Sequence, residues 1–233
     1  MIRGWPEGMT GDRVARLVFG AGRLLCAVAV VVCMVAGYVR ASPWVAPIDF
    51  LAYLTIQSNI AFVVVAALGG VIALRSGLDH PRLDVPRVAV LSLVITAGIL
   101  FALILQQSGA RGIRVDVPWS GVALHFILPG FALADWVLSP RRHRVSFRVL
   151  LAVVGYPVVW GIVTMIRGSV VGWYPYYFLD PAQIHSPLEF IGLAVLMLAV
   201  FAAVGSLLII APSRQTSLTV SRRRAPAARG PSR

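Results

Sequence analysis

A few side chains capable of chemistry lie inside long apolar stretches of this sequence. Thr55, Ser58 and Asn59 occur in the phrase LTIQSN, where spacings of three and four residues put them on one face of a helix. His125 lies in another apolar stretch, and Asp135 follows ten residues later. Polar groups are costly in hydrocarbon, so they usually face other helices and mark a functional site or a structural hydrogen bond.

Thr55 and His125 are the most informative of these candidates. A threonine hydroxyl becomes a nucleophile when a neighbouring base accepts its proton, and neutral histidine suits that role. At about 1.5 Å per residue from Phe50 and Trp119, Thr55 lies about 8 Å and His125 about 9 Å below the same membrane boundary. The sequence therefore predicts either a catalytic pair for acyl transfer or an interhelical hydrogen bond, which is common in membrane bundles.

Composition indicates where these residues reside. Of 233 residues, 58% are apolar and 13% are charged, against roughly 25% charged in soluble domains. A membrane-spanning helix needs about 20 mostly apolar residues. Six such stretches are predicted at about 17–39, 50–74, 87–107, 119–138, 147–166 and 188–211. The predicted fold class is all-α: a polytopic membrane protein with a six-helix transmembrane bundle in one domain, 1–211, followed by a disordered Arg-rich cytoplasmic tail, 212–233.

The basic residues predict the orientation of the bundle. All 21 are arginines, and with nine acidic residues they give a formal net charge of +12. They lie in short clusters between the apolar stretches, whereas a nucleic-acid-binding protein presents them on one face, so no nucleic-acid partner is predicted. Sixteen fall on the side of both termini and four on the other, with Arg23 set aside within the first span and expected to snorkel. This bias predicts a multi-pass cell-membrane protein with cytoplasmic N- and C-termini.

Aromatic residues mark the opposite boundary. Trp173 and Tyr174 belong to the segment GSVVGWYPYYFLDP between the last two spans, and such rings are typical of the headgroup level. This segment is predicted to fold over the bundle as a cap. Arg167 precedes it and is predicted either to hold a carboxylate or phosphate headgroup or to be an ordinary interfacial arginine. Asp135 is predicted to form an ion pair or hydrogen bond near the other boundary.

Two cysteines, Cys26 and Cys33, share a face of the first span, seven residues apart. A metal site would need further His or Cys residues nearby, so both are interpreted as small packing residues. The sequence lacks recognisable metal-ligand and nucleotide-binding motifs. We therefore predict no cofactor and no metal. The first span is longer than a signal-peptide core and five more follow, so it is interpreted as a retained helix.

Three phrases carry a resemblance to known proteins: YLTIQSN at 53–59, LHFILPGFALADW at 124–136 and RGSVVGWYPYYFLDP at 167–181. They resemble actinobacterial six-helix membrane proteins of the Pr-six-Pr type over roughly 17–211. Those proteins are in turn similar to the eukaryotic androgen-induced-gene family of intramembrane threonine hydrolases, which cleave fatty-acid esters. The resemblance implies that Thr55 is the nucleophile and His125 the base.

The predicted function is accordingly an intramembrane hydrolase of lipid esters whose partners are membrane lipids, a lipid ester or another amphipathic small molecule. Asn59, Arg167, Trp173 and Tyr174 are the predicted substrate-binding residues. Two alternatives stay open: a non-catalytic lipid-binding or transport protein, and a purely structural bundle. We detect no inverted repeat of the kind found in many transporters. The oligomeric state is not predicted.

Overall fold

The computed structural model describes residues 7–76, 80–110, 116–139, 143–184 and 186–211, and it contains helices but no strand in these ranges. The helices are α1 (Glu7–Ala41), α2 (Pro47–Ala52), α3 (Leu54–Arg75), α4 (Pro81–Ala110), α5 (Trp119–Val122), α6 (Leu128–Leu138), α7 (Val149–Val171) and α8 (Pro187–Ile210). A π-helical turn, Ala123–Ile127, joins α5 to α6, and a 3₁₀ turn, Tyr177–Leu179, precedes α8. The predicted tail, 212–233, lies outside the described residues.

Within the described residues, six helical segments are long and apolar enough to cross a membrane: Arg13–Ala41, Leu54–Arg75, Pro81–Gln106, Trp119–Leu138, Val149–Val171 and Pro187–Ile210. The predicted all-α class with six membrane-spanning helices is therefore confirmed. Residues 42–53, 116–118 and 172–184 lie together at one end of the bundle, which we call the aromatic end. The opposite end, with residue 76 and residues 143–148, is called the basic end.

The second span begins differently from the continuous helix that hydropathy predicts. Pro47 occupies the first turn of the short helix α2, a position that tolerates proline because its missing N–H would have no helical partner. Tyr53 then adopts an extended conformation with φ −63° and ψ 130°, so the chain breaks before α3 begins at Leu54. Thr55 consequently lies in the first turn of α3 rather than inside a longer helix.

The spans pack as a group of four with two helices added on one side. Both α1 and α4 pack against α3 and also against the fourth span, which is formed by α5, the π-helical turn and α6. This arrangement puts α3 and the fourth span at opposite corners of the group. The remaining helices, α7 and α8, pack against each other and against α4.

Helices α1 and α3 approach each other closely through small residues. A Cβ atom on Gly70 would lie 2.9 Å from the carbonyl oxygen of Gly20, so a larger residue would push the backbones apart. Close approach through small residues is a common way for membrane helices to associate, because lipid supplies no hydrophobic driving force between them. One turn further along α1, the Arg23 side chain extends past Gly69 of α3.

Candidate functional site

Thr55 is buried at the aromatic end, and its hydroxyl faces the cap. Its Oγ1 lies 3.3 Å from the hydroxyl oxygen of Tyr176, which belongs to the connection between α7 and α8. The Tyr176 ring is enclosed by aromatic neighbours: it stacks on Phe178 at 5.1 Å and meets Tyr53 and Trp160 edge-on at 5.4 and 5.9 Å between ring centroids. The predicted cap is therefore present, and its Tyr176 is a hydrogen-bonding partner of Thr55 that the sequence did not reveal.

The polar neighbours of Thr55 on α3 form hydrogen bonds with its backbone carbonyl group and not with its hydroxyl group. Ser58 Oγ and Asn59 Nδ2 both donate to the Thr55 carbonyl oxygen, at 2.9 and 2.8 Å. Both side chains are almost completely buried, and such bonds to a preceding carbonyl are typical of polar residues within helices. The predicted binding residue Asn59 thus contacts the first turn of α3 and holds the backbone that carries Thr55.

The two tyrosines beside Thr55 stay protonated at physiological pH. Burial raises the pKa of the Tyr176 phenol, and its hydrogen bonds with Thr55 offset only part of that effect. Burial, together with the carboxylate of Asp49, also raises the pKa of Tyr53. Tyr176 therefore presents Thr55 with a neutral hydroxyl, which can donate or accept a hydrogen bond but cannot act as a tyrosinate base.

His125 lies in the π-helical turn, whose position is explained by Pro129. A proline lacks the N–H that would bond to the carbonyl four residues earlier, and its ring clashes with that carbonyl. In this chain that carbonyl belongs to His125, and it points at α4, where a Cβ on Gly98 would lie only 2.2 Å from the carbonyl oxygen. Turns of this type occur frequently at functional sites.

The hydrogen bond of the His125 ring determines its tautomer. Nδ1 lies 2.8 Å from the carbonyl oxygen of Gly121, and since a carbonyl only accepts, Nδ1 carries the proton in the neutral ring. Nε2 then holds the lone pair, as a general base requires. The ring stacks on Phe101 of α4 with centroids 3.9 Å apart.

Thr55 and His125 have separate partners in this structure. The threonine hydroxyl faces Tyr176, whereas the imidazole contacts Gly121 and Phe101, and no hydrogen bond joins the pair within the described ranges. Their helices lie at opposite corners of the four-helix group. Their catalytic pairing therefore stays a prediction.

An apolar chamber of about 440 Å³ lies between α7 and α8 next to the Thr55–Tyr176 pair. Its wall includes Leu54, the residue before Thr55, and Phe178, which stacks on Tyr176. Among the described residues of its wall, only Trp160 has a polar side-chain group, and its indole Nε1 donates to the carbonyl oxygen of Ala52 at 3.0 Å. The chamber consequently offers a ligand apolar surface alone.

The cap also organises three of the predicted binding residues. Gly172, with φ 71°, ends α7 in the left-handed conformation that favours glycine and turns the chain back over the bundle. The ring of Tyr174 then packs on Gly168, where a Cβ would lie 2.0 Å from its Cε1 atom. Trp173 lies 5.7 Å from the guanidinium of Arg167. Arg167 and Trp173 are thus in contact, while Tyr174 serves the packing of the cap.

On the other face of α7, a groove of about 430 Å³ runs along α2 and the start of α3. Its rim carries Arg167, whose Nη2 lies 2.5 Å from Oδ1 of Asp49 in α2. Deeper in the groove, the hydroxyl of Tyr156 donates to Oε1 of Gln57 at 2.6 Å. The sequence identified Arg167 as a candidate binding residue but did not identify Asp49 as its ion-pair partner, because Asp49 is far away along the chain.

A buried ionic cluster holds the basic end together. Asp135 accepts from Nε of Arg23 at 2.9 Å and from Nη2 of Arg87 at 2.8 Å. Arg87 also lies 3.5 Å from Asp84, whose other oxygen accepts from the backbone and ring nitrogens of His143 at 2.9 and 3.0 Å. The expected ion pair of Asp135 is present. The expectation that Arg23 snorkels is wrong: its side chain is 5% exposed because Asp135 neutralises it inside the bundle.

Fold and site together define an all-α integral membrane protein with a capped polar site at one end and an ionic cluster at the other. We found no match for the chain among protein-family models, curated protein sequences or solved structures. The functional argument therefore rests on the residues themselves.

Proposed function

We propose that this protein binds the acyl chain of a membrane lipid in the chamber between α7 and α8 and presents the polar part of that lipid to Thr55 and Tyr176. The observation that carries this proposal is the position of the chamber: its wall includes Leu54, the residue before Thr55, and Phe178, which stacks on Tyr176. Pockets of roughly 300–1,000 Å³ with apolar walls and a few polar groups are typical of small-molecule sites.

A lipid is the ligand class that this geometry favours. Both helices that border the chamber are long enough to cross the membrane, so the surrounding solvent is acyl chain and not water. The predicted binding residues then have separate roles. Trp173 and Tyr174 lie in the cap at the aromatic end, where a headgroup would be, and Asn59 supports the turn that carries Thr55. Arg167 lies at the same end but lines the groove on the other face of α7.

Filling the chamber tests this proposal. Gly161 lines it, and a Cβ there would meet nothing within 4 Å, so Gly161→Phe should fill space without displacing the backbone. Gly155→Phe is the matched control, because Gly155 lies on the same helix with equally open surroundings but does not line the chamber. The protein in nanodiscs would be crosslinked to a lipid with a photoreactive acyl chain, and the labelled peptides would be identified by mass spectrometry.

Labelling of the chamber wall should fall in Gly161→Phe and persist in Gly155→Phe. Equal labelling of chamber peptides in the two variants and in the wild type would overturn the proposed site. The protein's melting temperature in detergent should be recorded for each variant, so that a loss of labelling is interpreted only in folded protein.

We further propose a catalytic use of the site, which the tautomer of His125 favours. In this reaction Thr55 Oγ1 attacks the ester carbonyl carbon and its proton passes to Nε2 of His125. The ester C–O bond breaks, the leaving alkoxide takes that proton, and an acyl-threonine is formed. Water activated by His125 then releases the fatty acid and restores the threonine hydroxyl.

This reaction requires Thr55 and His125, whose helices lie at opposite corners of the four-helix group, to come within hydrogen-bonding distance when substrate binds. Catalytic hydrogen bonds are often long or poorly aligned in unliganded proteins and form only in the substrate complex. Tyr176, as a neutral phenol, would remain available to donate a hydrogen bond to the oxygen that becomes negatively charged during attack.

The hydrolase proposal is tested with a fluorophosphonate probe and a panel of lipid esters. Wild type would be compared with Thr55→Ala and His125→Ala, and Thr96→Ala would be the control, since Thr96 is a buried threonine whose hydroxyl has no hydrogen-bonding partner in the described part of the chain. Loss of probe labelling and of turnover in the first two variants alone would support the mechanism. Equal activity in all four proteins would exclude it and leave lipid binding.

The proposed orientation places both termini in the cytoplasm, as the arginine distribution favours. A cysteine introduced at Ser217 should react with an impermeant maleimide only after lysis, and one introduced at Gly112 should react in intact cells. The native thiols of Cys26 and Cys33 are buried and should add little background. The opposite labelling pattern would reverse the topology.

A further inference from the structure

Arg167 lies on the rim of the groove between α2 and α7, and its ion-pair partner Asp49 lies beside that rim in α2. Their side chains are 28% and 19% exposed, so both charges are accessible at the aromatic end yet partly shielded. Trp173 lies over the guanidinium. The groove therefore has a cation on its rim and an anion directly beside that cation.

This arrangement excludes a simple anion site. A phosphate that approaches Arg167 also meets the carboxylate of Asp49, which already occupies part of the guanidinium's hydrogen-bonding capacity. A ligand that carries both charges avoids this repulsion, because its cationic group can lie against Asp49 while its phosphate bonds to Arg167.

Below the rim, the groove has the shape and chemistry for an acyl chain. Ile48, Leu51, Val159 and Val163 supply apolar walls, and the polar groups of Gln57 and Tyr156 are bonded to each other. Arg167 and Tyr156 are eleven residues apart on α7, about 16 Å along the helix axis. A lipid whose headgroup lies at Arg167 would thus extend its chain along the groove toward the membrane interior.

We propose that this groove is a binding site for a lipid with a zwitterionic headgroup, whose ammonium group pairs with Asp49 and whose phosphate pairs with Arg167. The site lies on the opposite face of α7 from the chamber. It rests on the proposed function only in that a membrane lipid is the ligand, and it does not depend on Thr55.

The test is native mass spectrometry of the full chain. The protein is released from detergent in the presence of equal amounts of phosphatidylethanolamine and phosphatidylglycerol. Wild type should retain about ten times as much phosphatidylethanolamine as phosphatidylglycerol, which is the ratio expected when one charge-assisted contact is gained. Asp49→Asn should lower or invert that preference, since it leaves Arg167 facing an anionic lipid without competition. Arg167→Gln should weaken retention of both lipids.

The matched control is another ion pair at the aromatic end, between Arg40 and Asp116, neither of which lines the groove. Asp116→Asn should keep the wild-type preference. Equal retention of the two lipids by wild type, a preference for phosphatidylglycerol, or an unchanged preference in Asp49→Asn would each overturn the zwitterion site.

The chamber variant separates this inference from the proposed function. If Gly161→Phe loses acyl-chain labelling of the chamber while the wild type shows no headgroup preference, only the zwitterion site fails. If chamber labelling is unchanged in Gly161→Phe but the preference depends on Asp49, the chamber proposal fails and the groove stands.

Discussion

Replacing Asp135 by asparagine should destabilise the protein more than any substitution of similar size at its surface. The side chain keeps its shape, but its negative charge is lost. Arg23 and Arg87, whose side chains are 5% and 9% exposed, would then face each other without the carboxylate that neutralises both.

The magnitude follows from this burial. Breaking a buried ion pair by removing one partner costs about 3–5 kcal/mol, because an uncompensated charge is left behind. The amide oxygen of asparagine still accepts one hydrogen bond, and Arg87 keeps its contact with Asp84, so we expect the lower limit, about 3 kcal/mol. For a chain of this size that corresponds to a fall of about 6–12 °C in melting temperature.

The chain contains its own reporter for this measurement. Cys26 and Cys33 of α1 are 6% and 5% exposed, and Cys26 lies one turn from Arg23. A thiol-reactive fluorophore added during a temperature ramp in detergent should therefore report the opening of α1. Asp116→Asn is the control, since its partner Arg40 is 57% exposed, and exposed pairs contribute about 1 kcal/mol or less. A shift in Asp135→Asn no larger than that of the control would refute the reasoning.

Two further predictions use the same melting assay. Gly98→Ala should destabilise the bundle by about 1–3 kcal/mol, because its Cβ would meet the carbonyl oxygen of His125, and that backbone group cannot easily move aside. Gly130→Ala is the control and should melt like the wild type, because the surroundings of Gly130 are open. Tyr176→Phe should lose about 0.5–1.5 kcal/mol with the hydrogen bond to Thr55. Burial raises the pKa of Tyr176, so the neutral phenol contributes its full stability below about pH 10, and this contribution is lost as the pH rises through the raised pKa. Tyr176→Phe should therefore lose less stability than the wild type at alkaline pH. The same loss of stability in both proteins at alkaline pH would contradict this.

Membrane residence and the number of spans could be predicted from the sequence alone. Both depend on local composition, because the bilayer's thickness sets the length of apolar sequence that a helix needs, and no distant partner alters that requirement. The break at Tyr53 escaped this reasoning. It lies within a stretch of continuous hydropathy and is visible only as a change in backbone dihedral angle.

The sequence also identified which polar residues require partners, but not which partners they have. Asp135 was expected to form an ion pair or a hydrogen bond near a boundary, and the structure supplies Arg23, which is 112 residues away. Thr55 was expected to face another polar side chain, and it meets Tyr176, which is 121 residues away. His125 was predicted to pair with Thr55 because the two residues lie at the same depth in the membrane.

Depth along the membrane normal can be counted from the sequence, since each helical residue advances the chain by about 1.5 Å. The direction that a helix faces and the neighbours it chooses depend on how all six spans pack, and that information is distributed over the whole chain. The tertiary structure alone therefore decided that α3 and the fourth span lie at opposite corners, that the cap reaches Thr55, and that α7 separates an apolar chamber from a groove with paired charges.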